Sequence, residues 1–298
     1  MTENPQLYNL ITSFEEIEAR PNFIERKVIP KGEAVEGILS DLVGYYLFKD
    51  EVKCGISSCG TKHQKGYIAS LSDGHEIIIG HNCGKKYFGV SFDEKTVQFD
   101  HLRHNALKYT QILEMFEKLP ILRANLDRIL TQSGKLSFYA LKKTIKDFKE
   151  TALDYAMRRH IFHEVSYNGE IYITYFKSRE EIDAEYLMGK KNIVDTKRVL
   201  QGTIAYYDVI ATWHNAEKLK DYFDRLYREI KNPNQMSGEA IKALSLKLRN
   251  HDQNLRELEA FCVHGNKLFT AENLIQLAIL FTKPIEQKAI EIYANKFV

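Results

Sequence analysis

Apolar and polar positions change their period near residue 90. Before that point apolar residues come in short β-branched and aromatic runs. KGYIASL (65–71) and HEIIIG (75–80) are two of them, with Ser72, Asp73 and Gly74 between. An Asp-Gly turn flanked by such runs predicts a β-hairpin. LYNLITSFEEIEAR (7–20) predicts a short helix, with Pro21 beyond its end. GILSDLVGYYLFKD (37–50) fits a buried strand or a short helix, which periodicity does not separate at that length.

Beyond residue 90 the spacing becomes helical. Ser91-Phe92-Asp93-Glu94 matches a capping box, and Leu102, Leu107, Tyr109, Ile112, Leu113 and Phe116 recur on one helix face. Pro120 is expected to interrupt that helix. Further helices are expected over 121–132 and 136–162, separated at Gly134, then over 193–231, 237–264, 271–281 and 284–296. One β-hairpin is inserted: EVSYNGEIYITYF (164–176) turns at Asn168-Gly169. After it, Ser178-Arg179-Glu180-Glu181 is a second capping box, opening a helix through Leu187. The expected fold is mainly α. A small α+β region at 1–92 precedes a helical bundle or scaffold at 93–298, with the hairpin near 164–176.

Charge narrows the range of partners. The chain has 42 basic and 40 acidic residues, a net charge of +2. Duplex-binding proteins carry a pronounced basic excess. Here the basic residues of 95–160 alternate with Glu114, Glu117, Asp127, Asp147 and Glu150, as on solvated helix faces. No apolar run approaches the length that crosses a bilayer, and MTENPQLYNL lacks the regions of a signal peptide, so the expected location is the cytoplasm.

In a reducing compartment, clustered cysteines point to metal before disulfides. Cys54, Cys59 and Cys83 cluster, whereas Cys262 stands apart in ELEAFCVHGNKLF and is expected to be a buried core thiol. Between Cys59 and Cys83 lies the predicted hairpin, which returns the chain to the first pair. Zinc suits thiolate and imidazole ligands in a tetrahedron. For the fourth ligand His63 ranks first, because it follows the Cys54–Cys59 knuckle directly. His81, two residues before Cys83, ranks second, and His75, in the hairpin, third and as a surface residue. Asp73 and Glu76 are the nearest downstream acids, but neither sits in the spacing of a catalytic zinc motif, so a closed structural site is expected.

The order of knuckle, hairpin and cysteine near a helix start resembles the treble-clef zinc finger. Cys54, Cys59-Gly60, His63, Ile79-Gly80 and Cys83-Gly84, leading to Phe88-Gly89, look like small zinc modules of bacterial and phage proteins. The likeness covers about residues 51–92. The first pair is spaced Cys-x4-Cys, and Lys86 stands where a treble clef has its second helix cysteine, which leaves the fourth ligand open.

Other chemistry is sparse. The sequence has no phosphate-binding loop, dinucleotide fingerprint or nucleophile elbow. His101 and His104, with Asp100, would suit a metal-dependent nuclease, but they read more readily as a polar helix face. Lys85, Lys86, Arg158 and Arg159 are candidate contacts for a partner or a phosphate; His160 and His163 extend the second pair. Trp213 and His214 are expected to pack within a long helix. The expected function is that of a non-enzymatic, zinc-stabilised binding protein, an adaptor or inhibitor of a protein complex. A phage or mobile-element source is implied by the resemblance alone. A protein partner or self-assembly leads, nucleic acid is the alternative, a nuclease comes third, and no membrane is involved.

Overall fold

The computed structural model describes residues 10–29 and 38–298. The fold is mainly α, with one four-stranded sheet and one two-stranded ribbon among the described residues. Two compact units divide the chain. Unit 1 holds Met1–Glu117 and Ile230–Leu246, and unit 2 holds Lys118–Glu229 and Lys247–Val298. The division expected at 92–93 differs from this one because Phe99, Leu102 and Ala106 pack into the same core as the N-terminal sheet.

In unit 1, β1 (Leu10–Ile11), β2 (Leu39–Lys53), β3 (Lys62–Leu71) and β4 (Glu76–Ile79) form the sheet in that order. β1 runs parallel to β2 and the other pairs are antiparallel. The expected hairpin is β3–β4, with Tyr67 opposite Ile79 and Ala69 opposite Ile77. Gly74 in its turn has φ 86°, which glycine adopts without a steric penalty. Of GILSDLVGYYLFKD, the part from Leu39 onward is strand, and Gly37 lies outside the described residues. The helix expected over 7–20 shortens to α1 (Phe14–Glu18), Leu10–Ile11 is strand, and residues 7–9 lie outside the described residues.

Both faces of this sheet are covered. One buries Tyr67, Ala69, Ile77 and Ile79 with Phe92 and Phe99; the other buries Tyr46, Ile68 and Ile78 with Ile17 of α1. Burial from both sides explains why Ile77-Ile78-Ile79 is apolar at every position instead of alternating.

α2 (His81–Gln132) joins two helices across a kink at Gly89 (φ 58°, ψ −135°). The helix expected from Ser91 is the second of these, and a short one precedes it. Pro120 does not end the helix, contrary to expectation. A proline removes one backbone donor and crowds the carbonyl four residues earlier. Phe116 and Pro120 are both exposed, so water can serve that carbonyl. Tyr109 donates to Asn234 Oδ1 at 2.6 Å and Ser245 to Gln111 Oε1 at 2.9 Å, which ties 230–246 to α2 within unit 1.

In unit 2, α3 (Phe138–Glu150) buries Phe138, Leu141, Ile145 and Phe148, a single helical stripe. The expected helix 136–162 breaks before α4 (Tyr155–Glu164). The hairpin expected at 164–176 is reduced to one bridge, Val165 to Ile171. Instead, β5 (Glu170–Phe176) pairs antiparallel with β6 (Thr196–Thr203), with Ile173 opposite Val199. The helix expected over 193–231 is therefore strand in its first part. Cross-strand pairing, a non-local interaction, outweighs local helical spacing there. Between the strands, α5 (Arg179–Leu187) opens at the expected capping box: Ser178 Oγ accepts from the Glu181 amide, and Glu181 Oε2 accepts from the Ser178 amide.

Next come α6 (Val209–Glu229), α7 (Gly238–Leu248) and α8 (His251–Leu268), the last two in place of one expected helix. The chain ends in α9 (Ala271–Leu274), a 3-10 turn and α10 (Pro284–Ala294). Phe138 meets Trp213 of α6 and Phe261 of α8 with ring centroids 5.2 and 6.3 Å apart. Cys262 is fully buried in α8, as expected. No described helix is long and apolar enough to cross a membrane.

Since Pro120 costs helix energy and makes no compensating backbone bond, Pro120→Ala should stabilise the protein by about 1–3 kcal/mol. Thermal unfolding followed by circular dichroism checks this, and an unchanged or lower midpoint would show that the proline carries a structural role.

Candidate metal centre

Three segments of unit 1 meet at one point. Cys54 follows the end of β2, Cys59 closes the knuckle after it, and Cys83 lies in the first turn of α2. The knuckle is clamped by backbone hydrogen bonds. The Gly55 amide donates to Ile78 O at 2.8 Å, the Lys27 amide to Gly55 O at 2.7 Å, and the Ser57 amide to Lys27 O at 2.9 Å. The Cys54 amide donates to Thr61 O at 2.9 Å, closing the loop. These bonds fix the pair of cysteines against β4, whose next residues start the helix that carries Cys83.

The three sulfurs lie within 4.8 Å of one another. Cys59 and Cys83 Sγ are 3.3 Å apart, and all three thiols are free. That is too long for a disulfide bond, at about 2.05 Å. Two thiolates on a tetrahedral zinc ion, each about 2.3 Å from it, would be about 3.8 Å apart. The Cys59–Cys83 pair is about 0.5 Å closer than that, and all three pairs lie within 4.8 Å. Among the described residues this is the one group of three or more His, Cys, Asp or Glu that could hold a metal ion.

Cys54 and Cys83 are buried in the apolar core with Ile56, Ile79 and Phe92. Burial pushes the Cys54 thiol up to about 12, and the Cys83 and Cys59 sulfurs add to the rise. Burial also raises Cys83, with Cys59 as its next cause. Cys59 moves the other way. Burial is its largest influence and raises it, but hydrogen bonds from the Thr61 hydroxyl and amide, and from the other two cysteines, together bring it below its ordinary value. Neighbouring thiolates repel one another in an apolar space, a cost that a bound cation removes.

Neither His63 nor His81 places a ring nitrogen within 4.8 Å of all three sulfurs. Their situations differ. His63 Nδ1 is 2.9 Å from the Tyr46 hydroxyl, and its Nε2 is buried without a hydrogen-bond partner among the described residues. Burial holds this ring below its ordinary pKa, which favours the neutral form that binds metal. The ring lies over Gly80, where an added Cβ would come within 2.7 Å of it. His81 is exposed and packs beside Tyr67 and Phe92, with centroids at 6.5 and 5.9 Å. The Tyr46 contact was not legible in the sequence, because it joins positions 17 apart on different strands.

The remaining candidates are placed elsewhere. His75 is at the hairpin turn, 3.2 Å from Asp73, which also pairs with Lys27; Glu76 pairs with Arg20. His101 and His104 are exposed, the latter with Nδ1 2.6 Å from Asp100 O, while the Asp100 carboxylate accepts from Tyr67. They do not form a metal group. Lys85 pairs with Asp93 at 2.9 Å, and Lys86 is exposed. Arg158 and Arg159 belong to unit 2, where Arg158 bonds Leu153 O and His160 lies 3.1 Å from Leu280 O. His163 is 2.9 Å from Glu164. Trp213 is buried in α6 and His214 is exposed.

In chelator-treated protein, Cys59 should react first with Ellman's reagent, because it is the most accessible thiol and the one with lowered pKa. Cys262, fully buried and raised to about 12, should stay unreactive until the protein unfolds. Stopped-flow absorbance with mass mapping of the labelled thiols checks the order. The chain matches no family model, no curated protein and no solved structure.

Proposed function

We propose that this chain is a binding protein without catalytic activity, whose unit 1 folds around one structural zinc ion. The observation that carries this is the convergence of three cysteine sulfurs, two of them buried, at the first turn of α2. Cys54, Cys59 and Cys83 supply the thiolates. His63 supplies the fourth ligand, closing toward the sulfurs through Nε2. What supports His63 over His81 is the state of its two nitrogens. Histidines on metals usually bind through one nitrogen while the other is held by a hydrogen bond, and Tyr46 provides that hold. The order of knuckle, hairpin and helix start supports a treble-clef-like module as part of the same reading.

A four-ligand site has no open position for water, so the ion acts on folding and not on a substrate. Among the described residues no carboxylate joins the cluster to serve as a base. Partner binding is then the remaining role, and the surface of unit 2 supports a protein partner or a second copy. Phe176, Tyr186, Leu187 and Met188 are 86%, 75%, 85% and 78% exposed around β5 and α5. Monomeric proteins rarely leave large neighbouring apolar groups open unless another surface covers them.

Elemental analysis of the purified protein should give one zinc per chain. Cys83→Ala should lose the metal and lower the stability of unit 1, while Cys262→Ala should keep it. His63→Ala should weaken zinc binding by roughly 10–100-fold or more, and Tyr46→Phe by up to a similar range. Metal-free wild type that is equally stable would overturn the proposal. Full zinc affinity in His63→Ala would move the fourth ligand elsewhere.

A further inference from the structure

We infer that unit 1 carries a ligand site beside the metal centre: a cleft on the β2–β3 face that takes a nucleotide unit, its base against Tyr45 and its phosphate on Lys62 and Lys65. The inference goes beyond the reading above, and its cleft shares His63 and Cys83 with the metal centre.

The cleft has a volume of about 790 Å³, and its lining includes Tyr45, Lys62, Lys65 and Tyr67, together with His63 and Cys83 of the metal centre, but no carboxylate. Cavities of roughly 300–1,000 Å³ are the size that encloses small organic ligands. Register puts the two kinds of contact side by side. Tyr45 is opposite Tyr67 and Leu47 is opposite Lys65, so these four residues share one face of the sheet. The aromatic ring and the cation are thus neighbours across and along the same two strands.

Tyr45 is held as a rigid platform. Its ring meets the edge of Tyr67 with centroids 5.4 Å apart, and the Arg103 guanidinium sits 4.3 Å from its centroid. Arg103 Nε is buried without a hydrogen-bond partner among the described residues, next to this ring. A half-buried tyrosine fixed in this way loses little entropy when a base stacks on it.

The lysines are available. Lys62 and Lys65 are exposed, and no ion pair engages either among the described residues, unlike Lys85 with Asp93. The Asp100 carboxylate accepts from the Tyr67 hydroxyl at 3.2 Å. The Glu51 carboxylate acts on His63, between Lys62 and Lys65, but pairs with neither lysine, and cations outside any ion pair beside a planar aromatic group select a ligand that is anionic at one end and planar at the other. A nucleotide has that form, whether free or as one unit of a single strand. The net charge of +2 conceals the site, because acidic residues elsewhere balance it.

The test uses the full chain and fluorescein-labelled dodecamers of thymidylate and uridylate in anisotropy titrations at several salt concentrations. Unlabelled AMP and UMP serve as competitors. The wild type should bind saturably. The double variant Lys62→Gln/Lys65→Gln should bind roughly tenfold or more weakly, with a log–log salt slope flatter by about 0.7, for the one phosphate that both lysines hold. Tyr45→Leu should weaken binding on the order of tenfold with little change in slope, and Lys142→Gln in unit 2 should change nothing. Competition by the mononucleotides would identify a free nucleotide as the ligand; its absence would identify a strand. Lack of saturable binding, or equal binding by the double variant, would overturn the inference. Zinc measured in the same samples separates the two readings, since binding absent with zinc retained counts against the cleft alone.

Discussion

Three cysteine sulfurs share one small, largely apolar space, and the architecture of unit 1 follows from that constraint. Burying a single ionised group is costly, and three of like charge more so, unless a cation joins them. The thiols register this: Cys54 and Cys83 are both held above their ordinary values, with burial as the main cause. The fold nevertheless brings them together with a dedicated set of backbone bonds linking Lys27, Gly55, Ser57 and Ile78. The proposed zinc would resolve the conflict. Structural zinc contributes about 10–16 kcal/mol in small fingers, as much as the whole stability of a typical domain, about 5–15 kcal/mol. On that scale the ion would decide whether the knuckle, the hairpin and the start of α2 hold together.

The sheet repeats the same economy with apolar groups. β4 is only four residues long, yet its isoleucines are buried on both faces, so one short strand ties the α1 side of unit 1 to the α2 side. Its end leads directly into Gly80 and the turn bearing Cys83. A shift of β4 by one residue would exchange Ile78 with its neighbours between two cores, and would also displace the Gly55–Ile78 bond that positions the knuckle. Register in the sheet and geometry at the cysteines are therefore specified together.

What the sequence revealed was local. The β3–β4 hairpin has its turn residues in place, the capping box at Ser178 works through residues three apart, and the cysteines stand out by residue type alone. What it hid depends on distant partners. β6 becomes a strand because β5 offers it an edge, and no local signal in TKRVLQGT overrides the helical spacing that follows. The helix runs past Pro120 on an exposed stretch, where water can serve the carbonyl left without a donor, which the proline itself does not announce. At the site, the sequence supplied the three cysteines and ranked His63 first. The hydroxyl that holds its ring comes from Tyr46 on a neighbouring strand. Likewise, the Arg103–Tyr45 contact spans a strand and a helix far apart in the chain.

The two proposed sites are linked by the chain itself. Lys62 and Lys65 flank His63, and His81 is two residues from Cys83, so the walls of the cleft are carried by segments that the metal would fix. A ligand that needs these walls ordered binds more tightly once their ordering has been met by the ion. Linkage is reciprocal, so the same ligand would in turn tighten the hold on the metal. Shared ordering favours positive coupling, while one zinc ion with three thiolates and a neutral histidine carries a net charge of about −1 that opposes a phosphate, so Lys62 and Lys65, on either side of His63, must offset that charge for the coupling to stay positive.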